Sequence, residues 1–357
     1  MVGIDRVYNL GIIGYGSMAN SHREIIENSN LRIKLKAIYD ISEERMCLAQ
    51  KQGYKTYSSK EQLLTDEDID IVLVATTNES HKDIAIDALE AGKHVLCEKP
   101  VALNSEELNE MILATAMHNK VFTVNQNRRF NRDFINMWRT IDSGKIGKPY
   151  IIESRVEGSR GIPDGWRTNK HQGGGMMLDW GVHLIDQILY MINDKITNIF
   201  CVMHSINYSD VDDNFSLTLT FESGLVVRIE VATNNFIKRP RFYVFGTEGT
   251  MVINEWDGCG TVIRKIADDN QWKSEITKVK AGPTKTMAPR NEKTIEKIIL
   301  EEPTDVNDSL EPVYEQLIDA IEGKELVIKP EEAMRVMKVM EAAFESAKTG
   351  IALKVEI

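Results

Sequence analysis

Two hydrophobic rhythms divide this chain. Up to about Val124, short and nearly unbroken apolar runs alternate with stretches of helical spacing; beyond Pro149, apolar and polar residues alternate singly. The first rhythm predicts strands at Tyr8 to Ile13, Leu31 to Tyr39, Ile69 to Ala75, Val95 to Cys97 and Val121 to Val124. Ile69 to Ala75 has no polar break, as a strand buried on both faces of a parallel sheet requires. Between the strands lie helical segments: one through Ile26, Ser42 to Gly53, a short turn at Glu61 to Leu64, Glu79 to Ala91, and Asn104 to His118. Ser42 caps its helix with two glutamates in the first turn, and Gly53 and Gly92 close theirs. This alternation with short connections predicts a doubly wound parallel sheet of the Rossmann kind over residues 1–125.

The second rhythm predicts strands at Tyr150 to Val156, Ile196 to Ser205, Phe215 to Glu222, Leu225 to Ala232, Phe242 to Phe245 and Met251 to Ile253. Glu222-Ser223-Gly224 and Gly246-Thr247-Glu248-Gly249 are hairpin turns between them. Helices are expected at Phe130 to Ile141, Val306 to Ile321 and Pro330 to Lys348, and Lys280 to Arg290 has the composition of a basic, mobile loop. The fold class is therefore α/β: an N-terminal doubly wound, Rossmann-like domain and, over 126–357, an α+β domain with a mostly antiparallel sheet. The C-terminal helix is expected to pack back on the first domain. At roughly 150 residues per domain, 357 residues suit two domains.

A formal net charge of −11 argues against nucleic-acid and anionic-membrane partners. No stretch approaches the ~20 apolar residues of a membrane helix, and no signal peptide is apparent, so a cytoplasmic protein is expected. Cys47, Cys97, Cys201 and Cys259 stand far apart, which indicates neither a disulfide framework nor a metal site.

Chemistry concentrates where strands end. Gly14-Tyr15-Gly16-Ser17-Met18-Ala19 follows the first strand as GxGxxA. Its first glycine permits a tight turn, its second admits a pyrophosphate, and the small Ala19 lets helix and strand pack closely. Asp40, 24 residues after Gly16 at the end of the next strand, can accept hydrogen bonds from an adenosine ribose. It disfavours the 2′-phosphate of NADP, whereas Ser42 and Arg45 can tolerate one. Thr76, Thr77 and Asn78 fall on the same rim. His81, in the first turn of the next helix, can bond a neighbouring loop or lie along the cofactor. Glu98-Lys99-Pro100 places an acid and a base at the crevice outside the strand ends, with Pro100 restricting Lys99 to extended geometry.

The polar run Asn125 to Arg129 reads either as a solvated linker or as amide and guanidinium donors over the crevice. Gly173-Gly174-Gly175 can bring backbone close to a ligand ahead of a helix carrying Asp179 and His183, four apart and so on one face. Hydride removal from an alcohol needs a group to take the hydroxyl proton, and histidine titrates nearest neutrality.

Taken in order, GxGxxA, Asp40, Thr77-Asn78, Glu98-Lys99-Pro100 and Gly-Gly-Gly-x-x-x-Asp-x-Gly-x-His resemble the glucose-fructose oxidoreductase / inositol dehydrogenase / MocA family. The resemblance extends to Gly165-Trp166-Arg167 and to Ala342 through Gly350. It implies NAD, with NADP possible, bound through Gly14, Tyr15, Gly16, Ser17, Met18, Asp40, Thr76, Thr77, Asn78, His81, Glu98 and Lys99. It implies a catalytic Lys99 with Asp179 and His183 as partners, and Asn127, Arg128, Trp166, Arg167, Asp179 and His183 as candidates for holding substrate. Hydride transfer would run between nicotinamide and a secondary hydroxyl of a sugar, inositol or related polyol, in a homodimer or homotetramer joined through the C-terminal sheet, which the resemblance implies is large and open. Some relatives use NAD in glycoside hydrolysis but tend to lack the EKP lysine, and others are sugar-responsive regulators without turnover; intact Lys99, Asp179 and His183 speak against both. Arg155, Arg160, Arg167 and Lys170 raise an anionic substrate, although such charges more often solvate a loop.

Overall fold

The computed structural model describes residues 6–268, 277–280, 282–284 and 289–357. Six parallel strands form the first sheet: β1 (Tyr8–Ile13), β2 (Ile33–Tyr39), β3 (Lys55–Thr56), β4 (Ile71–Val74), β5 (His94–Cys97) and β6 (Phe122–Val124), in the order β3-β2-β1-β4-β5-β6. The helices between them are α1 (Ser17–Asn28), α2 (Glu43–Lys51), α3 (Lys60–Leu64), α4 (His81–Glu90) and α5 (Ser105–His118). Strand order reverses between β1 and β4, which opens a crevice at their carboxyl ends. β4 is buried along its whole length, in keeping with its unbroken apolar run. Ser42 and Asn104 each accept a backbone N–H of the first turn of their helices, as the capping pattern predicts.

A short helix, α6 (Arg132–Asp142), leads into the second sheet. Its strands are β7 (Pro149–Glu157), β8 (Ile196–His204), β9 (Asn214–Phe221), β10 (Val226–Ala232), β11 (Phe242–Gly246), β12 (Gly249–Ile253) and β13 (Gly260–Lys265). A separate ribbon pairs β14 (Thr277–Val279) with β15 (Gly282–Thr284), and β16 (Ile295–Leu300) and β17 (Leu353–Lys354) complete the set. The nine-stranded order is β16-β13-β12-β11-β7-β10-β9-β8-β17, with β7 and β10 parallel and every other pairing antiparallel. One face is buried under α7 (Val182–Met191) and α9 (Pro330–Thr349), which share a continuous core with Leu217, Leu219, Val227 and Ile229.

The remaining helix, α8 (Glu311–Ile321), sends Val313, Tyr314, Leu317 and Ile318 into the core formed by Leu10, Ile12, Ile38 and Leu73 of the first sheet. Apolar burial thus ties the two halves of the chain together near its end. Among the described residues no helix is long and apolar enough to cross a membrane.

The structure departs from the sequence reading in several places. β13, β16 and β17 go unpredicted because each buries little: Val262 and Leu300 are the inward anchors of β13 and β16, and their neighbours are charged or exposed. The helix expected from Val306 begins at Glu311, because Pro312 is tolerated only in a helix's first turn, and Asn307 and Ser309 instead close turns onto the backbone N–H groups of Ser309 and Glu311. Residues 127–130 form a 3₁₀ turn ahead of α6. Within the expected loop Lys280 to Arg290, Gly282–Thr284 is β15; residues 281 and 285–288 lie outside the described residues.

Candidate active site

The turn from β1 into α1 has the shape a dinucleotide needs. Gly14 sits at φ +91°, and a Cβ there would lie 2.6 Å from the Ala75 carbonyl oxygen, so both backbone geometry and the neighbouring strand exclude a side chain. At Gly16 the opposite holds: a Cβ would meet no atom of the protein within 4 Å. The space is open, and α1 begins there without a side-chain cap, leaving its first N–H groups for an anion. Ala19 is fully buried against the strand. Asp40 closes β2 and is already engaged, accepting from the backbone N–H groups of Tyr15 and Ser42 and pairing with Arg45 at 3.2 Å. These residues fit NAD.

Two of the expected cofactor residues do other work. His81 is fully buried, with Nδ1 2.9 Å from the Pro100 carbonyl and Nε2 3.2 Å from that of Thr76, so it braces the rim and does not face it. Burial also holds its pKa below the ordinary histidine value. Asn78 is buried and donates to the Gly173 carbonyl at 3.1 Å, joining the two halves of the chain. Thr76 and Thr77 remain partly exposed, their hydroxyls bonded to Ser80 and Glu79.

At the end of β5, Glu98 turns into the protein. Its Oε1 accepts from Asn125 at 2.7 Å and lies 2.7 Å from His22 Nε2, while His22 Nδ1 lies 2.7 Å from the Tyr314 hydroxyl. Burial opposes ionisation of Glu98, but the bonds from His22 and Asn125 outweigh it and keep the carboxyl below its usual range. The Lys99–Pro100 peptide bond is cis. Lys99 Nζ reaches across the crevice to Asp179, donating to its Oδ1 at 2.8 Å and its backbone carbonyl at 3.0 Å. Arg167 Nε holds the other carboxylate oxygen at 2.8 Å. Desolvation alone would raise the Asp179 pKa; the charges of Lys99 and Arg167 reverse that and keep it ionised.

Asp179 does not sit on a plain α-helix. Met177–Gly181 is a π-turn that runs into α7, a local widening common at functional sites. Beneath it, Asp212 accepts from the Met177 N–H at 2.7 Å, and its backbone carbonyl accepts from Met176. The three preceding glycines let the chain pack closely on itself: a Cβ at Gly173 would strike Asn78, one at Gly174 the Arg167 carbonyl, and one at Gly175 would lie 2.2 Å from Asp212 Oδ1.

His183 is buried at the foot of the same cavity and makes no hydrogen bond among the described residues. Burial, reinforced by the positive charges of Lys99 and Arg128, drives its pKa well below the ordinary value, so the imidazole is neutral. The cavity, of about 730 Å³, is lined by Met18 from α1, by Glu98, Lys99, Asn127 and Arg128, by Asp179, Trp180 and His183, and by Arg160 and Arg167 from the 158–176 loop. It thus joins the glycine turn to the lysine and the histidine. Trp166 does not line it; Arg167 stacks on its ring at 4.5 Å.

Sequence reasoning missed His22, Tyr314, Asp212 and the tryptophans Trp180 and Trp256, whereas Asn125, read as a donor over the crevice, instead donates to the buried Glu98. His22 and Tyr314 are 292 residues apart, and nothing local marks either as a partner of Glu98.

Fold and glycine turn together define a dinucleotide-binding Rossmann protein. Residues 8–126 match the family described as the oxidoreductase family with an NAD-binding Rossmann fold, and residues 134–252 match the GFO/IDH/MocA C-terminal domain. The chain belongs to the Gfo/Idh/MocA oxidoreductase family. The 1,5-anhydro-D-fructose reductase of Ensifer adhaerens is 34% identical over 204 residues, 56% of this chain and 61% of that protein, so the match spans under two thirds of that relative. The myo-inositol 2-dehydrogenase of Thermotoga maritima is 29% identical over 249 residues, 67% of this chain and 73% of its own. An NAD-binding protein from Listeria innocua, solved by crystallography, superposes with a TM-score of 0.87 at 38% identity, covering 98% of this chain and 97% of that one.

Proposed function

We propose that this enzyme transfers a hydride between NAD and a secondary hydroxyl, or the corresponding ketone, of a sugar, inositol or related polyol. The observation that carries the reading is the convergence of Lys99, Asp179 and a neutral, unbonded His183 on one cavity that also reaches the glycine turn. Bound through Gly14 to Met18 and the Asp40 rim, NAD supplies the hydride acceptor. The cavity residues then divide the rest of the work. His183 has a free lone pair and accepts the hydroxyl proton as the carbon–hydrogen bond breaks. Lys99, paired with Asp179, is a cation aimed at the oxygen on which negative charge develops. Asp179 positions that ammonium, and Arg167 positions Asp179. In the reductive direction the same groups return the proton to the ketone oxygen. That two relatives are named for a myo-inositol and an anhydrofructose substrate supports a polyhydroxy substrate class.

The test is NADH formation at 340 nm against a panel of inositols, aldoses and sugar acids, with Lys99→Met alongside the wild type. Lys99→Met is expected to lose about 10²-fold or more in kcat while leaving NAD binding largely intact. Wild-type kcat in that variant would overturn the assignment.

A further inference from the structure

Charge is unevenly satisfied inside the cavity. Of its acidic lining residues, Glu98 is bonded to His22, Glu157 pairs with Arg239, and Asp179 is shared by Lys99 and Arg167. Among the four cationic side chains of the lining, Lys99 and Arg167 are committed to Asp179, whereas Arg128 and Arg160 pair with no carboxylate among the described residues. Arg155, a candidate from the sequence, is bonded to Glu153 and Glu230 and does not line the cavity.

Arg128 is the unusual one. Its guanidinium carbon lies over Trp180, 4.2 Å from the ring centroid, and 5.3 Å from that of Trp256. Its Nε is buried without a hydrogen-bond partner. The nearby acids face other cations: Asp133 lies 2.9 Å from Arg241 Nε, an ion pair without hydrogen-bond geometry, and Asp179 is bonded by Lys99 and Arg167. Burial, with repulsion from Arg241, pushes its pKa down to about 10, which still leaves it charged at neutral pH. A partly buried guanidinium whose Nε has no acceptor is costly, and aromatic faces recover only part of that cost. Hydroxyl groups of a neutral substrate can fill donor positions but leave the charge uncompensated, whereas a planar or tetrahedral oxyanion meets the fork of donors and the charge together.

We propose that the substrate carries an oxyanionic group, a carboxylate or a phosphate ester, held by Arg128 over Trp180 and Trp256, with the exposed Arg160 also lining the cavity. The inference rests on the dehydrogenase reading for the rest of the substrate. Its test is calorimetric binding to NADH-saturated enzyme, where no turnover competes, using sets matched at carbon 6: glucose, glucuronate and glucose 6-phosphate, and the corresponding galactose set. At least one anionic member is expected to bind about tenfold or more tightly than its neutral counterpart. Arg128→Met should bring that ratio close to one and Arg128→Lys should restore part of it, both with unaltered NADH affinity. Which anion wins separates carboxylate from phosphate. The proposal falls if no anionic member binds more tightly than its neutral counterpart, or if the preference survives in Arg128→Met. Anion binding without NADH formation from any member with NAD would leave this site standing and defeat the dehydrogenase reading; NADH from a neutral sugar without anionic preference would do the reverse.

Discussion

At the residue scale, burial decides what each titratable group can do. His183 is neutral because it is desolvated beside two cations, and Asp179 is ionised because the same surroundings favour its charge. Asp212 shows the effect on stability. Burial raises its pKa to about 7, against an unfolded value of about 3.9, with the Met177 N–H opposing the shift and Asp213 adding to it. Between these values the folded state holds a proton that the unfolded state has lost, so this contribution to stability declines as pH rises from about 4 to about 7. Thermal melts at pH 5.5 and 8 should show that decline in the wild type and a smaller one in Asp212→Asn; equal slopes would locate the proton elsewhere. Asp40→Ala should weaken NAD binding more than NADP binding, since the carboxylate at the end of β2 is the group set to repel a 2′-phosphate. Titrations of both cofactors check this, and an unchanged preference would place selection at Arg45 or Ser42.

At the element scale, the π-turn and α8 hold the site from opposite sides. Gly175 brings the backbone to within contact of Asp212, so Gly175→Ala, at φ +107° and with a Cβ 2.2 Å from Asp212 Oδ1, should move the turn that presents Asp179. A fall in both melting temperature and kcat is expected, with NAD affinity largely retained. From the other side, α8 delivers the Tyr314 hydroxyl to His22 and through it to Glu98. Tyr314→Phe leaves a buried histidine nitrogen without its partner and should cost about 1–3 kcal/mol in urea unfolding. An unchanged unfolding midpoint would mean that the bond contributes nothing.

At the scale of the whole molecule, among the described residues helices cover one face of the nine-stranded sheet. Cross-strand rows on the other face place Phe245 beside Thr250 and Ile263, Tyr243 beside Val252, Thr261 and Ile299, and Phe200 beside Thr218. Phe200, Val202, Ile263 and Ile299 are all exposed there. An apolar sheet face of this extent is expected to meet a second copy. Light scattering after size exclusion should give a dimer or tetramer, and Ile263→Lys with Ile299→Lys should shift it toward monomer; a monomeric wild type would refute the expectation.

Much of this protein was legible in one dimension because its physics is local. Strand periodicity, the glycine at φ +91° and the cap serine of α2 are dictated within a few residues, and so was the doubly wound sheet whose strand ends gather Gly16, Asp40 and Lys99. Asp179 and His183 were legible as a pair, though not as a π-turn, because the widening depends on Asp212 packed beneath it. Glycines 173–175 were legible as points of close approach, and only packing says that Asn78, Arg167 and Asp212 are what they approach within the protein. Tertiary structure alone decided that His81 and Asn78 brace the rim, that Glu98 faces His22 and Tyr314, and that Arg128 is left over two tryptophans with no acid to meet it. Each of these depends on partners brought together from distant parts of the chain, and on the burial that makes an unpaired charge costly, neither of which a local pattern can encode.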